Sequence, residues 1–302
     1  MKNLKFLTPV VTVLTKEGKL DHEGNIRVWE HLIQNGIDGI VLLGSTGEFF
    51  SISMEEKKEL IDLAIKHINK RIKLYVGTGC MRMEDTINLS NYALKNEVDA
   101  VMIIGPYYFA LSPESIEFYY NEVAKKINGD IYIYNFPERT GYDITAELTL
   151  NLLKKNKNIV GFKDTVDQMG HTRKLIATIK KEFPNFEIFS GYDENFIHIA
   201  LSGGTGCIGA LSNLYPEIFS KWKFAIENND IKKISEIQRI VDKLMEIYDI
   251  GKPFIPTLKK AMKLRGIDIE EYCIEPFIKS TEEEVIKIKE IIKEVEKEFN
   301  KI

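Results

Sequence analysis

The chain is poor in the residues that build disulfide frameworks and metal centres. It has three cysteines in 302 residues, Cys80, Cys207 and Cys273. An odd number of thiols so far apart in sequence suits reduced side chains, not a cystine scaffold or a zinc cluster. The five histidines, His22, His31, His67, His171 and His198, show no close pairing at a ligand spacing, and most fall in predicted helices, so a metal site has no support. Basic charge is not in excess either: 41 Lys and Arg against 45 Asp and Glu give −4, which leaves nothing to neutralise a phosphate backbone and argues against nucleic acid as a partner. A small anionic ligand would need a local trap. No apolar run reaches the ~18 residues that span a bilayer. The N-terminus lacks a long apolar segment ending in a small-residue cleavage site, so no membrane partner is expected and the cytoplasm is the expected location. Internal repeats, low-complexity tracts and Pro/Gly/Ser-rich linkers are also missing.

What is present is an alternation. Short β-rich apolar runs, each followed by an amphipathic stretch, predict parallel strands joined by crossover helices. Eight runs stand out: 6–14, 39–43, 72–77, 100–104, 131–134, 159–163, 186–190 and 206–209. Between them lie helix signals such as Ser53 followed by Glu56, a capping box opening 56–68, and the spacing of Ile116, Tyr119, Tyr120 and Val123. Eight βα units predict an α/β fold, a (β/α)8 TIM barrel. Residues 1–214 form its core, and 215–302 supply the last barrel helix and a C-terminal helical extension, with helices expected over 218–227, 231–247 and 282–301. The dense Lys and Glu of the last stretch read as a solvated helix face. With no linker between them, barrel and extension are expected to form one folding unit.

In such a barrel the functional groups collect where strands end. Lys163 closes the apolar run Ile159–Phe162, where desolvation disfavours the ammonium and favours the neutral amine that a Schiff base requires. A strand-end lysine can equally snorkel into water or pair with Asp164. Tyr134 ends the preceding strand and faces the same way, so a phenol able to shuttle protons stands beside the amine; it can also be simply a packed aromatic. After the second strand, Gly44–Glu48 offers two hydroxyls and flexible amides for a carboxylate, though a glycine-rich turn can do no more than turn. Gly204, Gly206 and Gly209 match G-x-G-x-x-G but precede or occupy a strand, which excludes a dinucleotide loop. Cys207 among them reads as a small packed residue.

Together these residues resemble the dihydrodipicolinate synthase and N-acetylneuraminate lyase superfamily along nearly the whole chain. The matches are GSTGE at Gly44–Glu48, PYY at Pro106–Tyr108, YNFP at Tyr134–Pro137, GFKD at Gly161–Asp164 and GGTGCIG at Gly203–Gly209. The resemblance implies a class I aldolase or lyase in which Lys163 forms an imine with pyruvate, Tyr134 transfers protons, and Ser45 with Tyr108 completes a hydroxyl relay. It implies that Thr46 holds the pyruvate carboxylate, that Ile208 contacts pyruvate through its backbone, and that Tyr108 reaches a neighbouring subunit's site in a homotetramer built as a dimer of dimers. No metal or organic cofactor is implied.

The second substrate, an aldehyde, is signalled in two ways. SGYDENF, with Gly191, Asp193 and Glu194, looks like sugar-acid lyases, and GFKDTVD, PYYF and the 252–254 segment look most like 2-keto-3-deoxygluconate aldolases. Arg139 instead matches the arginine by which dihydrodipicolinate synthases hold aspartate semialdehyde, although Phe109 after PYY and the lack of an NPIPVK-like segment near Pro253 depart from them. The leading expectation is cleavage of a 2-keto-3-deoxy sugar acid. A dihydrodipicolinate synthase, an N-acetylneuraminate lyase and a non-enzymatic pyruvate sensor are the alternatives.

Overall fold

A computed structural model describes residues 3–302. Eight strands, β1 (Lys5–Pro9), β2 (Gly39–Leu42), β3 (Lys73–Gly77), β4 (Ala100–Ile104), β5 (Ile131–Asn135), β6 (Ile159–Asp164), β7 (Glu187–Ser190) and β8 (Gly206–Ile208), follow one another around a closed barrel. Helices stand between them, and the expected (β/α)8 fold is what the chain adopts. β4 is buried at all five positions, the continuous apolar run that a strand covered on both faces requires.

By its contacts the chain divides into two compact units. Lys73–Ile208 holds β3 to β8, whose ladders from β3 to β8 are all parallel. Its helices begin where the sequence supplies a cap: Ser112 accepts from the Ser115 N–H with Pro113 at the first helical position, and Thr145 accepts from the Leu148 N–H. Ile116, Tyr119, Tyr120 and Val123, singled out by spacing, are the buried face of the helix Pro113–Lys126. Inside the barrel wall, Gly161 makes room for an aromatic: a Cβ there would stand 2.0 Å from the ring of Tyr132.

The other unit holds β1, β2 and everything from Gly209 onward. The capping box of Ser53 and Glu56 opens the helix Met54–Ile68 as expected, and a second, Thr281 with Glu284, opens Glu282–Phe299. Helices Pro216–Glu227, Ile231–Met245 and Glu282–Phe299 lie close to their expected bounds, and a further helix, Ile255–Leu264, had no forecast. β1 is shorter than the run 6–14 suggested. Val10–Leu14 is buried, but the N–H groups of Val11 and Val13 go to the side chains of Asn213 (3.2 Å) and Asn25 (3.0 Å) instead of a neighbouring strand. Burial and β-branching are what a sequence displays. Which acceptor a backbone amide finds is decided by residues far away in the chain.

Candidate active site

The register between β5 and β6 decides which side chains meet. Tyr134 pairs with Lys163, and Asn135 with Asp164. Successive strand residues alternate in direction, so the first pair shares one face and the second pair the other. Tyr134 and Lys163 are each 6% exposed, and the Lys163 Nζ lies 4.2 Å from the centroid of the Tyr134 ring. Pairing of the lysine with Asp164 is not what the structure shows: that carboxylate accepts from Asn135 Nδ2 (3.0 Å) and Thr172 Oγ1 (2.6 Å) and meets His171 Nδ1 at 2.9 Å.

Deeper in the same unit is a layer of phenols. Tyr132 donates to Glu187 Oε2 (2.6 Å), and its hydroxyl lies 3.3 Å from that of Tyr75. Burial first pushes the Tyr75 phenol up to about 12 and raises Tyr132 further, with the nearby Glu187 adding to both, so these phenols stay neutral.

The loops that leave the strand ends carry the other expected residues. After β4, Tyr108 and Phe109 are 79% and 73% exposed and meet edge to face at 4.8 Å. After β5, Phe136 stacks on Tyr134 with centroids 6.0 Å apart, and the exposed Arg139 lies with its guanidinium 5.4 Å from the Phe136 ring. After β7, Gly191 has a steric duty: a Cβ there would stand 1.8 Å from Thr165 Oγ1. Asp193 is fully buried, whereas Glu194 keeps some surface. Cys207 is fully buried too, its thiol raised well above the ordinary range by burial and then by Asp193, which matches a packed residue and no nucleophile. Ile208 closes β8 with no exposed surface.

The remaining expected residues belong to the other unit. Ser45–Gly47 form one 3-10 turn after β2, with Thr46 buried and Ser45 half-buried. Thr12 Oγ1 donates to Gly47 O (2.8 Å), and a Cβ on Gly47 would stand 3.0 Å from Val10 O. Glu48 ends the turn in the left-handed region, φ 55°, with a fully buried side chain. Lys259 donates to its Oε1 (2.6 Å) and to Tyr272 O (2.8 Å), while the Ile274 N–H donates to Oε2 (2.9 Å). Sequence reasoning missed Lys259. Its one signal is a lysine on the apolar face of the helix Ile255–Leu264, indistinguishable there from a snorkelling side chain.

Comparison with known proteins decides the family. A sequence model described as the dihydrodipicolinate synthetase family matches residues 2–295. The chain belongs to that family. This dihydrodipicolinate synthetase family member is therefore an enzyme, a carbon–carbon lyase of the Schiff-base class. It is 32% identical over 277 residues to an Escherichia coli protein named "Probable 2-dehydro-3-deoxy-D-pentonate aldolase YjhH", covering 92% of each chain. It is 31% identical over 287 residues to a 4-hydroxy-tetrahydrodipicolinate synthase of Hydrogenobaculum, covering 95% of this family member and 97% of the relative. Among solved structures, the E. coli K12 prophage protein YagE, crystallised in complex with pyruvate, superposes with a TM-score of 0.94 at 31% identity over 97% of this chain and 98% of that one.

Proposed function

We propose that the protein is a class I aldolase that reversibly cleaves a 2-keto-3-deoxy sugar acid to pyruvate and an aldehyde. The observation that carries the chemistry is the buried Lys163 amine set 4.2 Å from the Tyr134 ring on paired strand ends. In this reading the neutral amine adds to the C2 carbonyl and water leaves, giving an iminium that draws electrons from the C3–C4 bond. Tyr134 takes the proton of the C4 hydroxyl, the bond breaks, and the aldehyde departs. The enamine left on Lys163 is protonated at C3, and water releases pyruvate and restores the amine. No metal or organic cofactor enters. Within the same unit as Lys163, the backbone at Ile208 is assigned to the pyruvate carboxylate and Tyr108 to the hydroxyl relay.

Two observations support the sugar-acid substrate: the likeness to the protein named as a 2-dehydro-3-deoxy-D-pentonate aldolase, and the Gly191–Glu194 segment at the exit of β7. Gly191, Asp193, Glu194 and Arg139 are assigned to the second substrate, with Asp193 as the hydroxyl acceptor and with Glu194 and Arg139 retaining surface. Arg139 also favours the second reading, a 4-hydroxy-tetrahydrodipicolinate synthase, because an exposed guanidinium at the β5 exit suits the carboxylate of aspartate semialdehyde, and the Hydrogenobaculum relative bears that name. The exposed Tyr108–Phe109 pair suits burial against another copy, in a homotetramer. Cys80, Cys207 and Cys273 stand outside any disulfide, which suits the cytoplasm as the proposed location.

Borohydride reduction with pyruvate, followed by peptide mapping, is expected to place the adduct on Lys163. Parallel assays of 2-keto-3-deoxygluconate, its galactonate epimer, N-acetylneuraminate and aspartate semialdehyde then separate the substrates. Efficient condensation of aspartate semialdehyde that is selectively lost in Arg139→Ala would replace the first reading by the second. An adduct on Lys163 without turnover of any of them would leave a pyruvate sensor.

A further inference from the structure

Asn135 and Asp164 directly follow Tyr134 and Lys163 and turn to the opposite face of the sheet. Both are 1% exposed. Asn135 Nδ2 donates to Asp164 Oδ1 (3.0 Å) and to Asp143 Oδ1 (2.8 Å), while its own oxygen accepts from the Ile144 N–H (3.1 Å). His171 closes the group: Nδ1 lies 2.9 Å from Asp164 Oδ2 and Nε2 lies 3.1 Å from Asp143 Oδ2. Nδ1 makes the hydrogen bond to Asp164, whereas Nε2 stands at ion-pair distance from Asp143 without hydrogen-bond alignment. A neutral ring would leave two carboxylates facing each other across it, and only the imidazolium sets a positive charge between them. The contacts agree, pushing His171 up to about 10, chiefly through Asp143 and then Asp164.

We propose that His171 is a positioning residue for the lyase: an imidazolium held between Asp143 and Asp164 that locks the exits of β5 and β6 together and thereby sets the Tyr134 phenol against the Lys163 amine. The proposal rests on the reading of Lys163 as the imine-forming amine. The last pair of a strand ladder has no further rung to hold it. Here the β5–β6 ladder is extended by the Thr165 N–H to Asn135 O (2.9 Å) and then by the side-chain cluster, while on the other edge of β6 the Gly191 N–H donates to Asp164 O (2.8 Å). The charged groups that face the imidazole are Asp164 from β6 and Asp143 from the segment before the helix Ala146–Lys155; Asn135 from β5 and Thr172 from His171's own helix are neutral. Remove the cation and two carboxylates remain, joined by one amide. Their repulsion then pushes the Asp143 segment and the end of β6 apart, and Lys163 sits one residue from that end.

The test compares wild type, His171→Asn and His171→Lys. In wild type the borohydride adduct should map to Lys163; its absence overturns the imine reading, and the positioning role falls with it. With that adduct in place, His171→Asn should still trap pyruvate with KM little changed while kcat for cleavage falls about 10²-fold, the effect of misplacing reacting groups by about an ångström. His171→Lys, which returns the cation, should recover part of the loss. A purely structural residue would not split kcat from KM in this way. Independently, the wild-type ring at about pH 8, between the ordinary value of 6.5 and the raised value of about 10, should show both nitrogens protonated in 1H–15N correlation spectra. If His171→Asn does not fold, Asp143→Asn probes the same clamp from its more exposed side. Wild-type kcat in a folded clamp variant, or a neutral His171 ring at that pH, would overturn the proposal.

Discussion

At the residue scale, two side chains of one strand pair illustrate how a motif letter turns into geometry. Gly161 is a glycine because Tyr132 occupies the place of its Cβ, 2.0 Å away, and Tyr132 is tied to Glu187. Gly161→Ala must displace a ring that its hydroxyl partner holds, and overpacking of this kind costs about 1–3 kcal/mol. Denaturant titration should show that loss, and Tyr132→Leu in the same chain should recover part of it; an alanine variant as stable as wild type would mean the ring moves freely. Two residues on, Tyr134→Phe should still form the imine on Lys163 yet lose about 10²–10⁴-fold in turnover, because a general acid or base moves the proton without being needed for the covalent step. Near wild-type turnover would transfer the proton role to Tyr108. Lys163 and Tyr134 stood out in sequence because each ends an apolar strand run, but the register that sets them side by side, with its shift at Ile131/Tyr132, is not written in the two-residue period. His171 did not stand out: its partners, Asp143 and Asp164, lie 28 and 7 positions away, in a loop and a strand, and no periodicity connects a helix position to either.

At the element scale, the turn Ser45–Gly47 is anchored from the C-terminal extension of its own unit. Glu48 and Lys259 have side chains with no exposed surface, and both carboxylate oxygens are used. A buried pair of this sort need not add net stability, but removing one partner leaves the other as a buried, uncompensated charge, at about 3–5 kcal/mol. Lys259→Met should therefore be strongly destabilised, and Glu48→Gln combined with Lys259→Met should regain much of the difference. Chemical denaturation of the two single variants and the double variant closes the cycle; additive losses would show that the two side chains are not coupled. The same element shows where pattern reading ran out. The helix Ile255–Leu264 has buried positions at Ile255, Leu258, Ala261 and Met262, a good helical spacing, but Pro253 and Pro256 crowd its start and hid it. At the other end of the chain order, 10–14 carried the letters of a strand while its amides were claimed by Asn25 and Asn213. Strand cores and caps were readable because their signals are local. These two segments were not, because their structure is set by partners remote in sequence.

At the scale of the whole molecule, the balance of shifted groups fixes how stability responds to pH. A carboxylate held below its ordinary value stabilises above that value and loses the contribution as pH falls. Glu30, drawn to about 2 mainly by Arg71 and then by His67, and Asp143, lowered by His171 and Asn135 against its own burial, both act on the acid side. His31 acts there too, since burial lowers it from 6.5 and its protonation opposes the fold. His171 has the opposite sign. Its folded value of about 10 exceeds the ordinary 6.5, so its contribution is complete below 6.5, declines above it, and is gone once pH has passed about 10. Buried phenols such as Tyr75, raised from 10.0 to about 12, add a further loss at still higher pH. Between 6.5 and about 10, His171 therefore gives the chain a falling stability that no other shifted histidine shares. Urea unfolding of wild type and His171→Asn at a series of pH values across that window should show the gap between them shrinking as pH rises. A gap that stays constant would mean that His171 stabilises by packing alone, without the proton that the two carboxylates hold on it.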